Sequence, residues 1–351
     1  MSRIALLTPY ARPLVGGISS FVNGLREILM RHGHDVSVVC GEGAGDVPER
    51  SNVGTGLHFV GVAAGELRRI APDIIHCHAH WHTLAAALRY RRFNSRARVV
   101  FSFHTTIRTP WQVFLGRWLK GADILTFVSA YQLASLRNRL QLGGDLRILR
   151  PATDINSVRA EAIDDWQSQY GVKGCFPLIV FVGPLEYPGK VAGVLELINS
   201  MRSVRSRFAT ARLIVVGDGK YRPRVAAAAK VLGESVLLIG SQTDPYPAFA
   251  SADIYSHISY EESFGIAILE AMALGRCVLA SGEGGIAEII DGSNGLLVSR
   301  GAPEISSALI RLAEDPATRI RLGESARDTV ARRHTWESRY PLLSSIYGLE
   351  A

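Results

Sequence analysis

The sequence lacks several features that would each assign it to a particular class of protein. No apolar run approaches the ~20 residues that a membrane-spanning helix needs, and the N-terminal stretch lacks an apolar segment long enough for a signal peptide. The four cysteines are scattered and form no Cys-x-x-Cys pair, which is typical of small buried side chains in a reducing compartment. We therefore expect a cytoplasmic protein.

Internal repeats and low-complexity tracts are also absent from the sequence, and the glycine fingerprint Gly-x-Gly-x-x-Gly does not follow the first predicted strand. The first two absences exclude a solenoid and a low-complexity protein. The missing fingerprint argues against a Rossmann-type oxidoreductase that depends on NAD. That class stays an alternative, which an absence of nicotinamide binding would remove.

Charge is unevenly distributed along the chain. The 351 residues are 47% hydrophobic and 20% charged, a composition that fits two globular domains. Residues 1–150 hold 19 Lys and Arg against 9 Asp and Glu, a net charge of +10, whereas residues 151–351 hold 20 against 23, a net charge of −3. A basic half indicates an anionic partner, which on charge alone is a phospholipid surface, a phosphate-bearing acceptor or nucleic acid, although charges spread over solvated faces would give the same count. We expect no nucleic-acid partner.

Strand and helix patterns alternate along the chain, which predicts an α/β protein with parallel sheets and crossover helices. Residues Ile4–Thr8 are typical of a buried first strand. A glycine turn at Gly16 and Gly17 leads into a helix that ends at Gly33, and the second strand is predicted over His34–Cys40.

The most informative stretch is Tyr260–Leu274, which carries two carboxylates around a predicted helix start. The spacing of its apolar residues predicts a helix from near Phe264 to just before Gly275. A helix N-terminus beside a glycine binds anions, because its free N–H groups and its dipole both favour negative charge. The carboxylates of Glu262 and Glu270 suit hydroxyl groups instead, so the ligand implied is a phosphate attached to polyols, a nucleotide sugar. An ordinary amphipathic helix with two solvated glutamates is the alternative.

This stretch resembles the signature of family 4 retaining glycosyltransferases, in which seven residues separate two glutamates. Two later blocks, Gly284-Gly285-Ile286-x-Glu288-Ile289 and Asn294-Gly295-Leu296-Leu297-Val298, also resemble that family and follow at the expected distance. The resemblance covers nearly the whole chain and is densest from Gly183 to Val298. It implies the α/β GT-B fold, two Rossmann-like domains whose parallel sheets face a central cleft.

On this resemblance the chain divides into four segments. Residues 1–151 form an N-terminal acceptor-binding domain, residues 152–172 a linker, and residues 173–334 a C-terminal domain that binds the nucleotide sugar. Residues 335–351 form a final helix that crosses back to the N-terminal domain.

The resemblance also implies roles for individual residues. Glu262 binds the sugar ring, Glu270 binds the ribose hydroxyls, and His104, at the end of a predicted strand, approaches the transferred sugar. Ligands bind at that edge of a parallel sheet, although a satisfied structural histidine would look the same there. The catalytic candidates are therefore His104 and Glu262, and the donor-binding candidates are Gly16, Gly17, Gly183, Lys190, Gly217, Phe264, Gly265, Ile266 and Glu270.

Two departures from the family pattern leave a second interpretation open. Pro184 stands where the family has an arginine that binds the donor diphosphate, and Lys190 comes one place later than the family lysine. The dipeptide Asn-Gly that the family has near the linker is replaced by Ala152 and Thr153. Arg276 or an arginine of the first domain would have to supply the missing charge. A weakened relative that binds nucleotide sugar or a partner without turnover is therefore the alternative function.

The segment His76-Cys-His78-Ala-His80-Trp-His82 would place three imidazoles on one face of a strand, a pattern that suits zinc or copper. No neighbouring carboxylate or second pair completes a ligand set in the sequence. We therefore predict no metal site, and the resemblance requires none.

The segment Trp111–Lys120 is predicted to be a helix with two tryptophans on its apolar face and basic residues beside it. Packing against the core would explain this face, and so would contact with an anionic membrane. The two interpretations stay open.

The resemblance implies transfer of a sugar from a UDP- or GDP-linked donor to a hydroxyl acceptor, with retention of anomeric configuration and no cofactor. The acceptor hydroxyl attacks on the leaving-group face, the donor phosphate receives its proton, and domain closure excludes water. The acceptor is a glycan, a glycolipid or another hydroxyl compound, lipid-linked or anionic, in cell-surface polysaccharide or glycolipid biosynthesis. The basic domain would then make a peripheral contact with the inner face of the cell membrane.

Overall fold

The structure, a computed structural model, describes residues 1–11, 16–42, 56–105, 118–155 and 157–349. The chain forms two compact units. The first unit consists of residues 1–152 together with residues 336–351, and the second unit consists of residues 153–335. Each unit is built on its own sheet.

The first unit contains a six-stranded parallel sheet with the strand order β2-β1-β3-β4-β5-β6. Parallel neighbours cannot be joined by a tight turn, so the chain crosses over the sheet between them. The strands are β1 (Arg3–Tyr10), β2 (Asp35–Glu42), β3 (Ile74–His78), β4 (Arg98–Phe103), β5 (Ile124–Phe127) and β6 (Asp145–Ile148).

Amphipathic helices accompany this sheet. The helix α1 buries Phe21, Leu25 and Ile28, which recur at helical spacing along one face. The buried core of the unit includes Leu7, Phe59, Phe101 and Leu125. The helices that precede the second unit are α1 (Gly17–Arg31), α2 (Gly56–Ile70), α3 (Trp81–Arg91) and α4 (Ala130–Arg137).

The second unit contains a six-stranded parallel sheet with the order β12-β11-β10-β7-β8-β9. The central strands are mostly apolar, and nearly all of their residues are buried, as expected for a sheet covered on both faces. Its strands are β7 (Leu178–Val182), β8 (Arg212–Val216), β9 (Val236–Gly240), β10 (Ile254–His257), β11 (Cys277–Ser281) and β12 (Leu296–Val298).

Helices pack on this sheet through two buried clusters. One cluster includes Phe181, Leu197, Leu213 and Leu309. The helices of the second unit are α5 (Ala160–Gln169), α6 (Pro188–Arg207), α7 (Arg222–Lys230), α8 (Tyr246–Ser251), α9 (Ile266–Ala273), α10 (Ala302–Glu314) and α11 (Pro316–Arg333), and short 3-10 helices cover Gly233–Ser235 and Gly284–Glu288.

The segment treated as a linker in the sequence analysis contains secondary structure. The helix α5 lies within residues 153–172, and its Trp166 is buried with Val172, Leu178 and Val180 in a second core cluster. Most of this segment is therefore packed against the second unit.

The last helix, α12 (Trp336–Tyr347), packs on α1 within the first unit. A Cβ atom at position 24 would lie 1.9 Å from Nε1 of Trp336, so only the glycine Gly24 leaves room for the indole. The rings of Trp336 and Phe21 also pack edge-to-face, with centroids 5.2 Å apart. These contacts attach the end of the chain to the sheet that its beginning forms.

The strand order identifies where a ligand site is expected in each unit. Read from its far edge, the second sheet has the order β9-β8-β7-β10-β11-β12, which is that of the Rossmann fold. The direction in which the chain adds strands reverses between β7 and β10, and in the first sheet it reverses between β1 and β3. Open α/β sheets bind ligands at the carboxyl ends of the strands beside such a reversal. The predicted α/β architecture with parallel sheets is confirmed.

Two further expectations concern membranes. Within the described residues no helix is long and apolar enough to cross a bilayer. Of the predicted helix Trp111–Lys120, residues 111–117 lie outside the described residues, and Trp118 is helical and 42% exposed.

Candidate active site

The reversal of strand order in the second unit brings four predicted or neighbouring residues to one edge of its sheet. Gly183 directly follows β7, and Lys190 lies in the first turn of α6. His257 is the last residue of β10, and Glu262 lies in the loop between β10 and α9. Sheet topology therefore concentrates chemically active side chains where a ligand is expected.

Lys190 and Glu262 form an ion pair in this place. Nζ of Lys190 lies 2.9 Å from Oε2 of Glu262, and the two side chains are only 9% and 15% exposed. An isolated charge at that depth would be strongly unfavourable, so each residue requires the other or a ligand of matching charge. The structure thus joins two residues that the sequence analysis assigned separately to phosphate and sugar.

His257 adds a second partner to the same carboxylate oxygen. Its Nε2 lies 3.0 Å from Oε2 of Glu262, and its Nδ1 lies 2.9 Å from the hydroxyl of Tyr255. The ring of His257 stacks on Phe181 of β7, with centroids 5.6 Å apart. Lys190, Glu262, His257 and Tyr255 are named the ionic cluster below.

The ionic cluster has defined charges near neutral pH. Burial would raise the pKa of Glu262, but Lys190 and the hydrogen bond from His257 outweigh it and hold the pKa well below its usual range. Burial lowers the pKa of His257, and Lys190 acts in the same direction against the opposing effect of Glu262. Glu262 is therefore ionised and His257 is neutral.

Close contact between glycines shapes the neighbouring strand ends. A Cβ atom at position 217 would lie 2.0 Å from the carbonyl oxygen of Gly183, and Gly217 has a φ of 145°. Glycine is therefore required after β8, and the backbone at both positions carries no side chain. Gly217 is buried, and both N–H groups donate within the sheet, that of Gly183 to the carbonyl of Val216 and that of Gly217 to the carbonyl of Gly240. The two glycines therefore keep side chains away from the ends of β7 and β8.

The loop that follows Gly183 is fixed to the turn after β8. The N–H of Leu185 donates to the carbonyl of Asp218 at 2.8 Å, and its carbonyl accepts from the N–H of Tyr221 at 3.1 Å. Pro184 lies exposed in this loop. Arg276, suggested as a replacement for the missing arginine, donates instead to the carbonyls of Leu274 and Ala250.

The helix α9 begins two residues after the predicted start near Phe264, directly after a left-handed glycine. Gly265 has φ 111° and ψ 63°, and the helix runs from Ile266 to Ala273 with no acidic residue in its first turn. The carbonyl of Glu262 accepts from the N–H of Gly285 at 3.0 Å, and a Cβ atom on Gly285 would lie 2.1 Å from the carbonyl of Ser263. The glycine pair 284–285 therefore supports the loop that carries Glu262.

The remaining donor-binding candidates are partly or wholly enclosed. Phe264 is 2% exposed and its ring faces His334, so only its backbone can meet a ligand. Ile266, the first residue of α9, is half-buried. Glu270 is 9% exposed, and its Oε1 accepts a hydrogen bond from the hydroxyl of Tyr246 at 3.4 Å.

Histidines collect at the corresponding edge of the first sheet. His78, the last residue of β3, has its Nδ1 3.1 Å from Nε2 of His104, which follows β4. His76 bonds through Nδ1 to the hydroxyl of Tyr347 at 2.7 Å and through Nε2 to the hydroxyl of Ser102 at 2.6 Å. His76, His78 and His104 are named the histidine cluster below.

Burial keeps the histidine cluster neutral. It lowers the pKa of His76 and of His104 to about 3 each, and it lowers the pKa of His78 well below its usual range. Phe21 of α1 packs edge-to-face on His104, with ring centroids 4.9 Å apart. The cluster is therefore an uncharged and largely buried group of hydrogen-bonded rings, of which only His104 is partly exposed.

The histidine-rich segment does not assemble as a metal site in the described residues. Both ring nitrogens of His76 already have hydrogen-bond partners, and His82 packs against Phe59 on α2. Across residues 1–11, 16–42, 56–105, 118–155 and 157–349, no group of three or more His, Cys, Asp or Glu side chains could hold a metal ion.

The glycine turn of the first unit lies at the start of α1. The carbonyl of Gly16 accepts hydrogen bonds from the backbone N–H of Ser20 and from the hydroxyl of Ser19, both at 2.9 Å. Gly17 is the first residue of the helix. Residues 12–15, which lead into this turn, lie outside the described residues.

Sequence reasoning missed several residues that the structure adds to the site. His257 and Tyr255 complete the ionic cluster, and Glu261 accepts a hydrogen bond from the N–H of Gly189 at the start of α6, at 2.9 Å. His257 could have been predicted from the sequence. His104 was selected because it is a histidine at the carboxyl end of a parallel strand, and the same argument applies to His257. Tyr246 had none, since its contact depends on how α8 meets α9.

Comparison with known families identifies the class of protein that this fold and site belong to. The family model described as Glycosyltransferase Family 4 matches residues 15–157, and the model described as Glycosyl transferases group 1 matches residues 176–315. Together they span most of both units. The chain belongs to the family 4 glycosyltransferases and is a transferase of the GT-B fold, as its sequence motifs predicted.

Particular relatives agree with this class over almost the whole chain. A phosphatidyl-myo-inositol mannosyltransferase of Mycobacterium tuberculosis is 26% identical, over 98% of this chain and 96% of the relative. An N-acetyl-alpha-D-glucosaminyl L-malate synthase of Bacillus anthracis is 25% identical, over 78% of this chain and 74% of the relative.

Solved structures share the fold at lower identity. The sucrose-phosphate synthase of Thermosynechococcus elongatus has a TM-score of 0.83 at 21% identity and covers 99% of this chain and 98% of its own. The Anabaena protein HepE, solved in complex with UDP and glucose, has a TM-score of 0.76 at 18% identity over the full length of both chains.

Proposed function

We propose that the protein is a retaining glycosyltransferase that moves a sugar from a nucleotide-sugar donor to a hydroxyl acceptor. The observation that carries the proposal is the buried ion pair between Lys190 and Glu262 at the strand reversal of the second unit. A cation and a carboxylate held side by side match the two halves of such a donor, a diphosphate and a polyol.

The donor binds to the second unit in this proposal. Its diphosphate meets Lys190, the backbone at Gly183 and Gly217, and the N-terminus of α9, where the backbone of Phe264, Gly265 and Ile266 lies. Hydroxyls of the sugar donate to Glu262, and those of the ribose donate to Glu270. The UDP and glucose held by HepE and the GDP-mannose in the name of a Corynebacterium glutamicum relative make UDP and GDP the first nucleotides to test.

Transfer with retention needs no protein nucleophile. The acceptor oxygen forms a bond to the anomeric carbon on the face from which the diphosphate leaves, and the bond between that carbon and the phosphate oxygen breaks. The proton of the acceptor hydroxyl passes to the departing phosphate. Lys190 stabilises the charge that develops on that phosphate, so no metal or other cofactor takes part.

The first unit serves the acceptor side of the reaction. His104 takes the role toward the transferred sugar that the family resemblance gives it. Gly16 and Gly17, at the start of α1, keep the donor-binding role that the same resemblance gives them. Relatives whose names include phosphatidyl-myo-inositol, together with the net charge of +10 over residues 1–150, favour an anionic, lipid-linked acceptor presented at the inner face of the cell membrane.

The proposal keeps the domain boundaries predicted from the sequence, except that the helix α5 is moved from the linker to the donor domain. An acceptor domain of residues 1–151 and a donor domain beginning near residue 173 keep the two ligand roles in separate units. The helix α5 belongs with the donor domain, because Trp166 is part of its core.

A protein that binds a nucleotide sugar without turnover is the second candidate, and Pro184 is the observation that favours it. The exposed proline supplies no charge for a diphosphate, so Lys190 carries more of that task than the family lysine does. Lys190 is buried and paired with Glu262, which supports a functional donor site, because a lysine without a ligand to bind would not require a buried ion pair.

Binding and turnover separate the two candidates. Thermal unfolding is measured with UDP, GDP, ADP and dTDP, and the nucleotide sugars of the base that binds are then tested for transfer to phosphatidylinositol and to sugar acceptors. A ligand at 100 times its Kd adds roughly 2.7 kcal/mol of stability. Stabilisation with turnover supports the transferase, and stabilisation without turnover on any acceptor supports the binding protein. Failure of every nucleotide to stabilise the protein would contradict both.

A further inference from the structure

The family resemblance assigns roles to Lys190 and Glu262 but none to His257, which joins them. We propose that His257 is a positioning residue, whose Nε2–H holds the Glu262 carboxylate so that Lys190 can leave it for the diphosphate of the donor. This inference rests on the proposed function, because it concerns the order in which the donor site changes partners.

Two donors converge on one carboxylate oxygen. Oε2 of Glu262 lies 2.9 Å from Nζ of Lys190 and 3.0 Å from Nε2 of His257. The side chain of His257 is only 1% exposed, so water cannot readily replace its hydrogen bond to Glu262. Glu262 therefore has one cationic partner that a ligand can attract and one neutral partner that stays in the sheet.

The hydrogen bonds around His257 define its tautomer. A neutral imidazole has one N–H donor and one acceptor nitrogen, and a carboxylate can only accept. The proton therefore lies on Nε2 and is donated to Glu262. The remaining nitrogen, Nδ1, accepts from the hydroxyl of Tyr255 at 2.9 Å, a shorter contact than the 3.3 Å from that hydroxyl to the carbonyl of Val182.

A bound diphosphate changes the balance of this cluster. Its negative charge attracts Lys190, and any displacement of the Lys190 ammonium group toward the phosphate weakens the ion pair with Glu262. Without His257, Glu262 would become a buried carboxylate with no partner, and the resulting desolvation penalty would oppose donor binding. Because His257 keeps its hydrogen bond to Oε2, this penalty is reduced and Lys190 is free to bind phosphate.

The alternative explanation is that His257 has only a packing role. Its ring stacks on Phe181, so any smaller side chain would loosen the end of β10. A packing role predicts that replacing His257 weakens nucleotide binding whether or not Glu262 carries a charge. A positioning role predicts that the effect disappears once Glu262 is made neutral, since a neutral amide needs no compensating donor.

A double-mutant cycle distinguishes these roles. Calorimetric titration gives the Kd of the tightest of UDP, GDP, ADP and dTDP for the wild type, His257→Asn, Glu262→Gln and the double variant. Asparagine keeps a polar atom near the Nδ1 position but does not reach Glu262. We expect His257→Asn to raise Kd about 10- to 100-fold, the size of one hydrogen bond to a charged group, and to change it less than about twofold in the Glu262→Gln background. Equal weakening in both backgrounds would overturn the inference.

The matched control is His257→Gln. Glutamine places an amide near the Nε2 position and so can donate to Glu262 without the imidazole ring. We expect it to recover most of the affinity that His257→Asn loses, and thermal unfolding of all variants shows whether they are folded. If His257→Asn and His257→Gln both remain folded and lose nucleotide affinity to the same extent, His257 has a packing role instead.

A second measurement tests the hydrogen bond from His257 to Glu262 separately from the proposed function. Should no nucleotide bind the wild type, the donor-site proposal is wrong, whereas the tautomer of His257 is still observable by long-range 15N–1H NMR of histidine-labelled protein, with His257→Gln providing the assignment. The inference requires a neutral Nε2–H tautomer in the wild type. An Nδ1–H tautomer or an imidazolium at pH 7 would contradict it.

Discussion

The two units have sheets with closely related strand orders, yet they concentrate opposite chemistry at the same edge. In the first unit the histidine cluster is neutral, because burial lowers the pKa values of His76 and His104 to about 3. In the second unit the ionic cluster retains full charges, because Lys190 and Glu262 compensate each other at 2.9 Å. The same topology therefore supports either kind of site, and the side chains at the strand ends decide which.

This difference is the basis on which the proposed function gives different ligands to the two units. Charged groups that are buried but compensated can exchange partners with a charged ligand, so the ionic cluster suits a diphosphate and its sugar. Neutral imidazoles accept and donate hydrogen bonds without attracting ions, so the histidine cluster suits hydroxyl groups. The predictions below separate these two chemistries.

The largest effect is expected from removing the cation of the ionic cluster. Lys190→Ala leaves Glu262 ionised and buried without its cation, and removes the charge that the donor phosphate meets. We expect kcat/KM for the donor to fall roughly 100- to 1000-fold, as for loss of an electrostatic group at a reacting centre, in steady-state transfer assays.

The control for this change is Lys230→Ala, which removes an exposed lysine at the end of α7 and should leave kcat/KM unaltered. Adding Glu262→Gln to Lys190→Ala should restore thermal stability but not transfer, because the buried charge disappears while the phosphate contact stays lost. Full activity of Lys190→Ala would remove the ionic cluster from the donor site.

A smaller effect is expected in the histidine cluster. His104→Ala removes a hydrogen-bonding ring that contacts His78 and Phe21, and it leaves the second unit unchanged. We expect kcat to fall about 10- to 100-fold, the lower range for loss of a positioned acid–base or hydrogen-bonding group, while the Kd of the nucleoside diphosphate stays within about twofold. A large change in that Kd would show that the two chemistries are not separated between the units.

The smallest effect per residue is a difference in acid stability between the sheets. An unfolded histidine has a pKa near 6.5, so acidification adds protons to the unfolded chain while His76 and His104 stay neutral down to about pH 3. Stability of the first unit should therefore fall as pH drops below about 6.5, by about 1 kcal/mol for each buried histidine at pH 5.5. In the second unit His257 is also buried with a lowered pKa and contributes to a loss in the same direction, but it is one histidine against the three of the histidine cluster. Glu262, whose pKa is lowered, stays ionised in this window and adds no loss until the pH falls below the unfolded value near 4.3.

Hydrogen exchange of the two sheets measures this difference, after correction for the intrinsic pH dependence of exchange. The amides of β3 and β4 should lose protection between pH 7.5 and 5.5, and those of β7 should lose less. Lys230→Ala serves as the control, since an exposed lysine at the end of α7 should leave the difference unchanged. Equal losses in both sheets would mean that the histidine cluster does not govern acid stability.

Much of the fold was predictable because its signals are local. Apolar strands, alternating helices and a helix start beside a glycine in the stretch Tyr260–Leu274 follow from the spacing of residues, and the structure confirms the α/β architecture they predict. The family motifs around Glu262 and Glu270 identified the class of protein before any contact was known.

The contacts within the site were not predictable in the same way. The pairing of Lys190 with Glu262 joins residues 72 positions apart and depends on β7 lying beside β10, which no local pattern specifies. The helix α5 looked like a linker, because its sequence is polar and only the burial of Trp166 attaches it to the second unit.

The central claim is that the ionic cluster, and not the histidine cluster, receives the nucleotide. A crystal structure of the protein with the tightest-binding nucleoside diphosphate tests it directly. The account predicts the diphosphate at the carboxyl ends of β7 and β10, with a phosphate oxygen about 2.8 Å from Nζ of Lys190, the usual length of a charge-assisted hydrogen bond. A nucleotide bound at the ends of β1 and β3, or bound with Lys190 still paired only to Glu262, would contradict it.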